Sequence, residues 1–300
     1  MMGPHKREFE PIEEVKQLSA LERIEYIEDT EPLVSFPEYD AVTKQLNKKL
    51  RKSSPDAADM FLFTGLTGMG KSTILKEFAA QNDWYEINRR DRLPVLYVTL
   101  PANATPTAIQ ERMLFLLREP STKRISNAKL TETLFWNIRR LNVGLIIFDE
   151  LQHLEGTVAN KQYRIALNFF KDIVVYAGVP VVLSGLKYAV ENIHAKDTQI
   201  RRRAGDIFYI HGWRYSEKLA DFLEAYEQTL PLQQYSNLSD DAMVAAVARY
   251  CDGTTHDICK KIRDAAIFEL GRGNEKISPT SFSSMGLKPI KNMDYGSDRA

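Results

Sequence analysis

The chain has 300 residues, 44% of them hydrophobic and 27% charged, and its 40 basic and 40 acidic groups cancel to zero net charge. That is length for about two domains with buried cores. The charge balance excludes a protein coated in positive charge, though not a local basic surface. Two cysteines without histidines at zinc-finger spacing exclude a metal finger, and free thiols in a reducing compartment are expected. With apolar stretches no longer than a strand, neither a signal peptide nor a membrane span is expected, and the expected location is cytoplasmic.

Residues 1–37 read as an acidic N-terminal arm, with a short amphipathic helix over 19–28 and breaks at Pro32 and Pro37. A basic amphipathic helix follows over 38–52, where Tyr39, Val42, Leu46 and Leu50 recur at helical spacing. Apolar strands then alternate with helices. Phe61-Leu62-Phe63 is a strand followed by a helix over 72–81, and 94–100 is a β-branched strand. Helices are expected over 106–117, opened by Pro106, and over 127–140, capped by Asn127. Residues 143–148 form a strand apolar on both faces, 163–176 a helix, and 179–184 and 207–210 two further strands. The pattern predicts an α/β domain over 38–212 with a parallel sheet covered on both faces. From 213 to 273 the periodicity is purely helical, and 274–300 turns rich in Gly, Ser, Pro and Asn, read as a flexible tail.

Between the first strand and its helix stands Gly65-Leu66-Thr67-Gly68-Met69-Gly70-Lys71-Ser72, followed by Thr73. Strand, glycine-rich turn and helix N-terminus together make a P-loop, whose backbone N–H groups converge on nucleotide phosphates. Lys71 is expected on the β and γ phosphates, and the Ser72 hydroxyl on Mg²⁺. The strand Leu145-Ile146-Ile147-Phe148 ends in Asp149-Glu150. A carboxylate there lies at the sheet edge where ligands of such folds bind. Asp149 is the expected acidic partner of Mg²⁺, and Glu150 the general base for the attacking water. Ser184 ends the next strand, where it can orient that water or serve merely as a turn serine. Arg201, Arg202 and Arg203 precede the last strand. They form either a solvated basic turn or a source of an arginine for a neighbouring subunit's γ-phosphate. ATP and Mg²⁺ are the expected ligands.

These runs resemble the AAA+ ATPases, in which a parallel-sheet nucleotide domain precedes a small helical lid. Within them the chain resembles the transposition ATPases of the TniB/TnsC type, regulators that act beside a DDE transposase. The resemblance spans roughly residues 20–275. It rests on the P-loop, on Asp149-Glu150-Leu151-Gln152-His153-Leu154, on Gly178-Val179-Pro180 with the strand after it, and on Gly253-Thr254-Thr255 opening the last lid helix. It implies an ATPase core of Lys71, Ser72, Asp149 and Glu150, with Ser184 as sensor. It also implies a trans-acting arginine at Arg203, where Ala204 replaces the family's phenylalanine and leaves Arg202 and Arg201 as rivals. No arginine stands near His256-Asp257, where many relatives sense nucleotide from the lid. It implies ATP-dependent rings or filaments on double-stranded DNA that recruit the transposase with a target-selector protein, and no membrane partner. DNA contacts would come from Lys123, Arg124, Lys129 and Thr107, directed at phosphates. The alternative is an AAA+ loader or nucleotide-gated switch acting on a protein partner.

Overall fold

The computed structural model describes residues 12–52, 58–102, 104–119, 126–157 and 161–290. Its first helices are α1 (Ile12–Val15), α2 (Ala20–Asp29) and α3 (Pro37–Leu50). α2 opens on a capping box: Glu22 N–H donates to Ser19 Oγ, and Ser19 N–H donates to the Glu22 carboxylate. α3 buries Val42 and Leu46 and carries acids in its first turn and lysines in its last, matching the helix dipole.

The α/β unit comprises residues 38–211. Its strands are β1 (Met60–Gly65), β2 (Tyr85–Ile87), β3 (Arg90–Arg92), β4 (Val95–Thr99), β5 (Leu145–Asp149), β6 (Val181–Gly185) and β7 (Ile207–Ile210). Five of them form one parallel sheet in the order β4-β5-β6-β1-β7. Every residue of β1, β5 and β6 is buried, which explains why these runs lack the alternation of a half-exposed strand. Helices α4 (Lys71–Gln81), α5 (Pro106–Leu116), α6 (Asn127–Arg140), α7 (Lys161–Asp172), α8 (Lys187–Lys196) and α9 (Thr198–Ala204) connect the strands. β6, late in the chain, pairs with both β1 and β5. That brings the carboxyl ends of three strands side by side, where open α/β sheets bind ligands.

Local details differ from expectation in three places. Ser126, not Asn127, caps α6, because its hydroxyl reaches the Lys129 N–H. The helix expected to reach residue 176 is α-helical only to Asp172 and continues as a π turn, Ile173–Ala177, closed by Gly178 at φ 68°. β2 and β3 form a separate antiparallel ribbon that periodicity did not reveal. Asn88 and Arg89, at φ 50° and 57°, make its two-residue turn, which needs positive φ at both positions.

The second unit joins residues 12–37 to 212–290. It holds α1, α2, α10 (Glu217–Glu227), α11 (Asp241–Tyr250), α12 (Thr255–Gly271) and α13 (Ser281–Ser284). The segment read as an arm thus packs within the helical region, α2 lying on α12. Arg23 fixes it there: the residue is 2% exposed, and its guanidinium donates to both Glu275 oxygens at 2.6 and 2.7 Å and to Pro231 O at 3.0 Å. Phe36 adds edge contacts to Trp213 and Phe222. In the stretch read as tail, Ile277, Ser281 and Phe282 are buried. Asp257, near the absent lid arginine, accepts from Asp252 N–H and pairs with Lys261. Among the described residues no helix is long and apolar enough to cross a membrane.

Arg23→Ala is expected to lower the unfolding free energy by about 2 kcal/mol in urea titrations, less than for a fully buried pair because Glu275 stays partly open to water. The Arg23 hydrogen bond holds the Glu275 carboxyl below the usual carboxylate range, against an opposing push from burial. A lowered folded-state pKa gives stability that is full above the unfolded value and lost as pH falls through the folded one. The urea midpoint should therefore drop on acidification below about pH 4. Glu275→Gln should flatten that dependence.

Candidate nucleotide site

β1 runs into the glycine-rich turn because Gly65 can approach β7: a Cβ there would lie 2.6 Å from Ile210 O. Gly70, at φ 80°, is the N-cap of α4 and supplies no side-chain cap. The first-turn N–H groups of the eleven-residue α4 are left to an external acceptor, the arrangement that binds anions. Met69 is fully buried and pins the loop to the core, whereas Leu66 and Thr67 are exposed at its crest. Gly68 also takes positive φ, at 79°. Ser72 is half-buried and Thr73 exposed in the first turn of α4.

Lys71 is 8% exposed, and its ammonium donates to Gly65 O at 2.9 Å and Leu66 O at 2.7 Å. Burial lowers its pKa, and the charges of Asp149 and Glu150 oppose that shift. An anion close by would satisfy a cation held in so little water.

Asp149, at the end of β5, is 1% exposed. Its Oδ2 accepts from Tyr97 OH at 2.8 Å and its Oδ1 from Glu150 N–H at 2.9 Å, which fixes the carboxylate plane. Burial and the Asp149 charge raise the Tyr97 pKa, so the phenol remains a donor. Glu150 follows at φ 65°, left-handed backbone that costs a non-glycine residue about 1–2 kcal/mol. The 3₁₀ turn Leu151–Thr157 comes next. Leu151 and Leu154 are buried, and His153 Nδ1 lies 2.7 Å from Leu100 O, a structural role for that histidine.

Ser184 sits on β6, in register with Phe63 of β1. It is fully buried, and among the described residues its hydroxyl has no hydrogen-bond partner. An unmade buried hydrogen bond costs about 1–3 kcal/mol. The orphaned hydroxyl, the uncapped helix end and the buried ammonium lie on one sheet edge, and this donor set fits a polyphosphate. Ser184→Ala should raise thermal stability by about 1 kcal/mol. If its hydroxyl donates to a reacting phosphate, the same change should lower ATP hydrolysis by about 10²–10³-fold, by analogy with loss of one donor aimed at transition-state charge. Calorimetry and phosphate release check the two halves.

Arg201, Arg202 and Arg203 are exposed on α9, and their side chains make no hydrogen bond or ion pair among the described residues. The helix itself is anchored: Asp197 accepts from Gln199 and Ile200 N–H and pairs with Lys171 at 3.0 Å. Of the expected DNA residues, Lys123 and Arg124 lie outside the described residues. Thr107 lies on α5 and Lys129 on α6, two helices that pack together. Thr107 Oγ1 lies 3.4 Å from Asn127 Oδ1, and the exposed Lys129 pairs with Glu132 at 3.1 Å.

Sequence reasoning missed two residues of the site, Tyr97 and Gln152. A hydroxyl-bearing ring inside an otherwise apolar strand was the available signal for Tyr97. For Gln152 it was an amide two residues past an acidic pair.

A family profile described as "Bacterial TniB protein" matches residues 23–215, more than half of the chain. The chain belongs to the TniB family. No curated protein matches this TniB-family chain. Solved structures that resemble it include the Aeropyrum pernix ORC2 protein in ADPNP–ADP complexes. That pair has a TM-score of 0.61 and 14% identity, over 90% of this chain and 73% of that one. Cdc6p from Pyrobaculum aerophilum superposes with a TM-score of 0.58 and 16% identity, over 87% and 71%. Drosophila ORC bound to DNA gives a TM-score of 0.53 and 13% identity, over 96% and 69%. The fold is that of the AAA+ P-loop ATPases.

Proposed function

We propose that this TniB-family protein hydrolyses ATP, assembles on duplex DNA as a ring or filament, and recruits or activates a DDE transposase together with a target-selector protein. The observation that carries the reading is the convergence of Lys71, Asp149, Glu150 and the orphaned Ser184 hydroxyl on one sheet edge of a TniB-family chain.

In this reading the P-loop N–H groups from Gly65 to Thr73 cradle the phosphates of ATP, and Lys71 turns its ammonium from loop carbonyls to the β and γ oxygens. Ser72 and Asp149 would hold Mg²⁺, which supplies positive charge against the phosphate oxygens. Tyr97 keeps the Asp149 carboxylate oriented. Glu150 takes the proton of the attacking water, and Ser184 donates to the γ-phosphate or that water. One of Arg201, Arg202 and Arg203 reaches the neighbouring subunit's γ-phosphate, so hydrolysis depends on assembly. Lys129 and Thr107, with Lys123 and Arg124, touch DNA phosphates. The exposed Lys129–Glu132 pair is weak enough for a phosphate to displace.

The test is electron microscopy with a non-hydrolysable ATP analogue, with and without duplex DNA, beside Lys71→Ala. Assemblies that need both ligands and vanish in the variant support the reading. A monodisperse species under every condition would discard it in favour of a loader or switch acting on a protein.

A further inference from the structure

We infer that Gln152 is a positioning residue for the proposed hydrolysis, holding the Glu150 carboxylate and tying it to the backbone just past Ser184. The inference rests on the reading of Glu150 as general base. Both ends of the Gln152 amide are engaged. Its Oε1 accepts from Leu186 N–H at 3.1 Å, immediately after β6, and its Nε2 donates to Glu150 Oε2. The Leu186 N–H is a donor only, so the amide end facing it must be the oxygen, and the NH₂ must then face Glu150. A glutamate at position 152 would set two carboxylates against each other, and a shorter side chain could not span both contacts.

The surroundings are shaped for this bridge. A Cβ at Gly185 would lie 2.9 Å from Gln152 Oε1 and 2.9 Å from Leu151 N, so only glycine lets the amide approach the end of β6. The turn that carries Gln152 is fixed by buried Leu151 and Leu154 and by His153 N–H donating to Glu150 O at 2.9 Å. Glu150 itself sits on left-handed backbone at φ 65°, which sends the chain around sharply enough for residue 152 to reach back to it. Gln152 therefore links the proposed base to the end of the strand that carries the orphaned Ser184 hydroxyl.

The experiment compares Gln152→Ala, and the volume-keeping Gln152→Met should the first fold poorly, with Glu150→Gln and the wild type. Steady-state hydrolysis should lose about tenfold in kcat. Affinity for a fluorescent non-hydrolysable ATP analogue should stay within about twofold, because a group acting only on the base contributes to the transition state and not to ground-state binding. A purely packing role would lower affinity and kcat together. A second readout needs no nucleotide. In a urea-unfolding cycle over Glu150→Ala and Gln152→Ala, the double variant should lose about fivefold less in folding equilibrium than the product of the single losses. Unchanged kcat in Gln152→Ala with hydrolysis lost in Glu150→Gln, or additive unfolding effects, overturns the role of Gln152 alone. Full hydrolysis in Glu150→Gln removes the general-base reading and this inference with it.

Discussion

Lys71→Ala is expected to reduce ATP hydrolysis by about 10²–10³-fold and to abolish ATP-dependent assembly on DNA. The ammonium is nearly water-excluded, so its interaction with a phosphate is screened far less than that of a surface lysine. Removing it also takes away the donor it supplies to Gly65 O and Leu66 O at the base of the loop. Lys71→Arg should not rescue, because a planar guanidinium cannot replace a compact ammonium bonded to two adjacent carbonyls. The check is phosphate release together with nucleotide affinity. Both should fall, since in the proposed site the charge faces the phosphates in the ground state as well as in the transition state. An unchanged affinity would exclude Lys71 from phosphate binding and remove the basis of the nucleotide reading.

Glu150→Gln should separate binding from chemistry. The amide keeps the size of the carboxylate but cannot accept the water's proton, so kcat should fall about 10²–10⁴-fold with nucleotide affinity nearly intact. Assemblies formed with ATP itself should then persist for hours, where those of the wild type dissolve as ATP is consumed. Glutamine also retains a carbonyl oxygen that can accept from the Gln152 amide, so the sharp turn at position 150 survives the change. Dynamic light scattering against time, with ATP and duplex DNA, reads the outcome. Equal lifetimes for variant and wild type would mean that disassembly does not depend on hydrolysis at this site.

Much of the α/β unit was legible from short runs of residues. A P-loop is a contiguous signal, because the glycines, the lysine and the helix N-terminus act within one turn of backbone. The strand of apolar residues ending in Asp149-Glu150 is likewise local, and burial on both faces of β5 produces its unbroken apolar run. Ser184 could be named from its place at a strand end, yet its orphaned state could not, since that depends on what surrounds β6.

The order and type of the main core elements and the candidate phosphate-binding residues could be read from the sequence alone, through periodicity and local backbone chemistry. Tertiary structure decided which distant residues share an edge. Inserting β6 between β1 and β5 puts Ser184 in register with Phe63, on the strand next to the one that leads into the P-loop, and pairing β4 with β5 delivers the Tyr97 hydroxyl to Asp149. It likewise decided that residues 12–37 pack in the helical unit. Arg23 meets Glu275 across 252 positions of chain, and no periodic pattern encodes a contact of that range. An exposed charge and a buried paired one look the same in a sequence. Only the fold supplies the partner and removes the water that would otherwise make the difference small.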